Sequence, residues 1–184
     1  GLPFGICFVL LLPKTTFRTV RAKILNASAG SGKTYQLAYK YVRDVVEQPS
    51  IYRHILAVTF TNKATEEMKS RILKEIHLLA SGGESSYLEN LCRELDMDAA
   101  TVRRRAAEVR SKILHDYSRF TVLTIDTFFQ RILRAFIKEL GIDLNYNVEI
   151  ETASVLTKSA DTLIEQITTD RDLQRWLTDF VQER

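Results

Sequence analysis

The chain has few of the residues that staple, kink or loosen a fold. Its 184 residues hold two cysteines, three prolines, seven glycines and one tryptophan. Cys7 and Cys92 are too few for a disulfide framework. Neither lies at ligand spacing from another cysteine or a histidine, which argues against a zinc site. His54, His77 and His115 are equally scattered. Such usage suits a reduced, cytoplasmic setting. No repeat or low-complexity tract breaks the sequence. The apolar stretch "GLPFGICFVLLLP" at residues 1–13 is too short to span a bilayer. No basic run precedes it and no small-residue cleavage site follows, so it does not read as a signal peptide, and no membrane partner is expected. Residues 1–22 are treated as an N-terminal extension. An extra strand, a processed end and the start of a fragment all remain open for it.

What is present describes a globular domain: 45% of residues are hydrophobic and 27% charged, enough for a packed core under a solvated surface. The net charge is only +3, but it is unevenly placed. Residues 1–137 carry 21 Lys and Arg against 13 Asp and Glu, and residues 138–184 carry 5 against 10. A basic first part leaves room for a polyanion, and an ordinary soluble surface is the plainer alternative.

The most informative stretch is "KILNASAGSGKTYQL", residues 23–37. Six small residues, Ala27, Ser28, Ala29, Gly30, Ser31 and Gly32, precede Lys33 and Thr34. Small side chains let main-chain amides converge on an anion. The pattern is close to the phosphate-binding P-loop, with Ala27 where the first glycine is usual. Val20–Leu25 upstream can form a buried strand. Leu37, Ala38, Tyr41, Val42, Val45 and Val46 recur downstream at helical spacing. In that setting Lys33 would reach the β- and γ-phosphates of a nucleotide, and Thr34 would hold Mg²⁺ through its hydroxyl. The helix N-terminus would add its positive end.

Two further stretches repeat the strand-then-helix arrangement. "HILAVTF" at residues 54–60 reads as a strand, followed by a helix with Ala64, Met68, Ile72, Ile76 and Leu79 on one stripe. Thr59, Phe60, Thr61, Asn62 and Lys63 fall at the carboxyl end of that strand, where parallel sheets bind ligands. Hydroxyls, an amide, an ammonium and an aromatic ring suit a single nucleic-acid strand; a helix cap over a core phenylalanine is the simpler alternative. "FTVLTI" at residues 120–125 reads as another strand, with Asp126 or Thr127 capping a helix through Phe128, Ile132, Leu133, Phe136 and Ile137 that Gly141 ends. Between them, "SGGESS" is a loop, and helices are expected near Tyr87–Leu95 and from Val102 to Tyr117. Arg103, Arg104, Arg105, Arg110 and Lys112 on the second of these could track a phosphate backbone, although such runs are more often a solvated helix face. An extended piece near Tyr146–Ile150 and helices at 152–168 and 170–182 complete the expectation. Strands alternating with helices predict an α/β fold with a parallel sheet.

"ASAGSGKT", "ILAVTFTNKATEEMKSRI" and "TVLTIDTFFQRIL", in that order, resemble motifs I, Ia and the following TxHxF-type motif of the UvrD/Rep family of superfamily 1 DNA helicases. "LRAFIKELGIDLNYNVEIE" is most similar to the RecB/AddA-like helicase–nuclease branch. The resemblance spans about Lys23 to Glu151. It implies a P-loop, RecA-like fold: a partial first motor domain at 23–137, a helical excursion at about 84–118, and the start of a helical insertion at 138–184. It implies an ATP-dependent motor on single-stranded DNA or DNA ends, with a role in repair or recombination and, for a partner, a second helicase–nuclease subunit. Thr59, Phe60, Thr61, Asn62 and Lys63 would touch the tracked strand, with Thr124, Thr127 and Phe128 beside it.

The sequence departs from that pattern. Asp126 stands where the family often has His. No glutamine precedes Gln36 to read adenine. No apolar strand after Thr127 ends in the Asp-Glu pair that holds Mg²⁺ and activates water, and a second motor domain has no counterpart. The chain is therefore expected to be a piece of a longer helicase that turns over little ATP alone. A non-catalytic nucleotide- or DNA-binding module is the alternative. A small-molecule P-loop kinase would leave Phe60–Lys63 and Thr124–Phe128 without a task.

Overall fold

The computed structural model describes residues 6–11, 21–26, 33–59 and 61–139. The elements expected beyond residue 139 lie outside that range. In chain order the described elements are β1 (Ile6–Leu11), β2 (Arg21–Asn26), α1 (Lys33–Glu47), β3 (Ile55–Thr59), α2 (Asn62–Ser81), α3 (Leu88–Leu95), α4 (Ala99–His115), β4 (Thr121–Thr124) and α5 (Ile125–Glu139). Pro49, which cannot continue a helix, opens a 3-10 turn between α1 and β3. Tyr52 in that turn is buried and donates its hydroxyl to the Lys112 carbonyl of α4 at 3.1 Å.

The strands lie in the order β2-β1-β3-β4. β3 and β4 pair in parallel, as expected. β1 runs antiparallel to β2 and to β3. The expected all-parallel sheet is thus corrected to a mixed one, with the N-terminal apolar run as an inner strand. Residues 12–20 are too few for a crossover, which needs a dozen or more, so β1 and β2 can be neighbours only antiparallel. Two reversals cancel, and β2, β3 and β4 all run the same way.

The core lies between one face of the sheet, on which α1 and α2 pack, and α4, which packs on those two helices. α1 contributes Leu37, Ala38, Tyr41, Val42, Val45 and Val46, two neighbours per turn on one side. α2 contributes Met68, Ile72, Ile76 and Leu79, and α4 contributes Val102, Ala106, Val109 and Ile113. Ile55 and Ala57 of β3 and Val122 of β4 close the same cluster. Each fully buried aliphatic side chain contributes about 1.5–3 kcal/mol, so this stripe-on-stripe contact holds the helical layer to the strands. Leu56 and Val58 alternate to the other face and are also buried, and α5 packs there on β3 and β4. Gly82, in the left-handed region at φ +80°, ends α2 and returns its amide to the Leu79 carbonyl.

Candidate functional site

Because β2, β3 and β4 share a direction, their carboxyl ends share one edge of the sheet. Phe8 pairs with Ile24 on one side and Val58 on the other, and Val58 pairs with Leu123. That row fixes the level of the three ends. β2 stops two residues beyond it at Asn26, β3 one beyond at Thr59, and β4 one beyond at Thr124. With one strand interposed, β2 and β3 are about 10 Å apart. Each of these strands passes to a helix at this edge, so Lys33 and Thr34, Asn62 and Lys63, and Asp126 and Thr127 all stand at helix beginnings along it.

At the first junction, Lys33 and Thr34 are the first two residues of α1. Residues 27–32 lie outside the described range. The first turn of α1 carries no acidic side chain. Its free amides and the positive end of its dipole are therefore uncompensated from within the helix, an arrangement that suits a phosphate. A lysine and a threonine are also the donors a Mg²⁺–triphosphate requires there.

At the second junction, Thr61 is the N-cap of α2, and its hydroxyl accepts from the Ala64 amide at 3.1 Å. Thr61, Asn62 and Lys63 are exposed. Thr59 is different. It is 3% exposed, its hydroxyl lies 2.5 Å from that of buried Thr65, and it donates to the Thr61 carbonyl at 3.2 Å. A hydroxyl expected to face a ligand is engaged inside. Phe60 lies outside the described residues. Thr65 is the residue sequence reasoning missed; its place on the Met68–Ile72 stripe is the signal that marks it as inward.

At the third junction no residue intervenes between strand and helix. The Thr124 hydroxyl accepts from the Thr127 amide at 3.3 Å and pairs with the Thr127 hydroxyl at 2.9 Å. Thr124 is the cap, in place of the expected Asp126 or Thr127, because α5 starts at Ile125, two or three residues earlier than those caps imply. Thr127 is half-buried and Asp126 exposed. Phe128 is buried with Phe129, ring centroids 5.6 Å apart.

The arginine run of α4 is not one basic surface. Arg104 is exposed, whereas Arg103 and Arg105 bond to main-chain carbonyls of neighbouring helices. Among the described residues no group of three or more His, Cys, Asp or Glu could hold a metal, and no helix is long and apolar enough to cross a membrane.

Three strand-to-helix junctions along one sheet edge, with a sequence at the first that is similar to a phosphate loop, make an α/β arrangement of the kind that binds ligands at its strand ends. The UvrD/REP helicase N-terminal domain matches residues 15–182, and the chain belongs to that family. It is 28% identical to RecBCD enzyme subunit RecB of Haemophilus influenzae over 158 residues, covering 75% of this chain and 13% of that protein. Against RecB of Escherichia coli K12 the identity is 29% over 146 residues, 75% of this chain and 12% of the relative. The A subunit of the ATP-dependent helicase/nuclease of Bacillus anthracis is 26% identical over 147 residues, 79% of this chain and 10% of the relative. The chain thus spans about a tenth of the length of these relatives. No solved structure matches it.

Proposed function

We propose that these residues form the ATP-binding N-terminal segment of an ATP-dependent DNA helicase that translocates on single-stranded DNA in repair or recombination. The motor domain would be RecA-like and occupy residues 23–137, with a helical excursion at 84–118 and a helical insertion beginning in 138–184. Family membership supports the class. The observation that carries the mechanism is the common edge: the helix that starts at Lys33 and Thr34 and the helix that starts at Asn62 and Lys63 open toward the same side of the sheet.

In this reading the amides of residues 27–32 and Lys33 bind the β- and γ-phosphates, and Thr34 supplies a hydroxyl to Mg²⁺. Bound Mg²⁺ neutralises phosphate charge. Thr61, Asn62 and Lys63 contact the phosphates of the strand. Phe60 offers its ring to a base. Thr59, Thr124, Thr127 and Phe128 hold the rim in place rather than reach the strand. The longer protein, in the cytoplasm, has DNA ends and a second helicase–nuclease subunit for partners. Phosphoryl transfer needs an acidic pair to place metal and water. Without one in its sequence the chain binds ATP and turns it over negligibly.

The test is binding, not turnover. The full chain should bind a fluorescent ATP analogue with Mg²⁺, and Lys33→Ala should weaken that at least about tenfold, the loss of one charge-assisted contact. Labelled single-stranded DNA should still bind Lys33→Ala within about threefold, with affinity falling as salt rises. Equal nucleotide affinity in both proteins would remove Lys33 from the site.

A further inference from the structure

α1 and α2, the helices that begin at the nucleotide and strand-binding ends, share an omission. Neither carries an acidic residue in its first turn or a basic residue in its last. Their carboxyl ends receive cations from elsewhere. Arg103 of α4 donates to the carbonyls of Leu79 (3.3 Å) and Gly83 (3.2 Å), at the end of α2. Arg105 donates to the carbonyls of Val46 (3.3 Å) and Glu47, at the end of α1. Residues two apart on a helix diverge by about 200°, so one helix hands a guanidinium to each neighbour. Arg105 meets carbonyls past the last intrahelical bond of α1, and Arg103 shares the Leu79 carbonyl with the Gly82 amide and also takes that of Gly83; both stand at the negative end of a helix dipole.

We propose that α4 is a crossbar and that Arg103 and Arg105 are positioning residues: they fix the far ends of α1 and α2 to one rigid element, and so couple nucleotide binding at Lys33–Thr34 to strand binding at Thr61–Lys63. The coupling rests on the function proposed above. The lever arms are about 22 Å for α1 and about 30 Å for α2 at 1.5 Å per residue. A small rotation at the clamped end displaces the opening turn, and a shared clamp makes the two displacements dependent.

Two measurements on the full chain separate this from simple capping. The first needs no ligand. Loss of a cap frays only the last turn, so Arg105→Gln would speed amide exchange at 44–47 alone. A crossbar predicts that exchange also quickens, about threefold or more, at Leu37 and Ala38 at the opposite end of α1. Unchanged rates there overturn the crossbar. The second is the ratio of single-stranded DNA affinities with and without a non-hydrolysable ATP analogue. In the unmodified chain it should differ from one by about fivefold or more. In Arg103→Gln/Arg105→Gln it should fall to within about twofold of one, with each ligand alone bound within about threefold. A ratio of one in the unmodified chain, or an unaltered ratio in the variant, overturns the coupling. If the chain binds neither ligand, the functional reading fails and the exchange rates still decide the crossbar. Should the double variant not fold, Arg105→Gln alone carries both tests, and Arg105→Lys, which keeps charge and donors, should restore the ratio.

Discussion

The β3–α2 and β4–α5 junctions use the same residues in different registers. Each strand ends in threonine, and each helix is capped by a threonine hydroxyl. At β3–α2 the cap is Thr61, two residues past the strand, and the last strand hydroxyl is free to bridge inward to Thr65. At β4–α5 the last strand residue is itself the cap. The first arrangement leaves Thr61, Asn62 and Lys63 exposed at the start of the helix; the second begins the helix at the residue that follows the strand. The second residue of each helix then carries opposite charge, Lys63 in α2 and Asp126 in α5. A carboxylate suits a helix N-terminus and an ammonium does not. Asp126 therefore favours its helix, and Lys63 does not.

The largest effect belongs to the buried bridge that only the first junction has. Thr59→Val leaves the Thr65 hydroxyl buried without its partner, a loss of about 1–3 kcal/mol. Thr65→Val should cost less, because Thr59 keeps the Thr61 carbonyl. The double replacement should cost less than the two singles together, by about 0.5 kcal/mol or more. Urea unfolding of the four proteins reads this directly. Strict additivity would mean that the two hydroxyls do not act as a pair.

Next comes the cap that the second junction places on the strand itself. Thr124→Val removes the acceptor for the Thr127 amide and should cost about 1 kcal/mol. Thr124→Ser keeps the oxygen and should recover most of it. If the two substitutions destabilise equally, the methyl group and not the cap is what matters, and the likeness between the junctions is superficial.

Much of this was readable before any coordinates. The stripes in α1 and α2 have a period that only a helix satisfies, and the apolar residues buried there are ones the pattern names; Ala64, named with them, is only half-buried, and buried Asp44, Thr65 and Glu75 are not among them. Pro49 marks the end of α1 and the "SGG" run the end of α2, because both act through the main chain nearby. The lane of β1 was not readable. An apolar run says that a strand is buried but nothing about its neighbours or direction. Which threonine faces in was not readable either. Thr59 and Thr61 are two residues apart in the sequence, and the inward one is defined by its partner Thr65 in the first turn of α2. Arg103 and Arg105 read as part of a charge run because their carbonyl partners are 20 to 59 residues away. Contacts at that distance leave no trace in local spacing.

The smallest effect tests the charge contrast, and it separates folding from binding. Asp126→Asn removes a favourable carboxylate from the α5 N-terminus and should cost about 0.5 kcal/mol in stability. The same change removes a repulsion. At about 8 Å in water, one unit charge on a phosphate amounts to about 0.5 kcal/mol, so single-stranded DNA should bind roughly twofold tighter at low salt. Screening at high salt should erase that gain. Lys63→Ala should act the other way on both counts, with stability rising by about 0.3 kcal/mol and DNA affinity falling a few-fold. The two substitutions are mirror images only if both side chains look onto the same bound strand. If Lys63→Ala destabilises the fold and leaves DNA binding unchanged, Lys63 is an ordinary surface residue, and the first junction is no more a binding edge than the second.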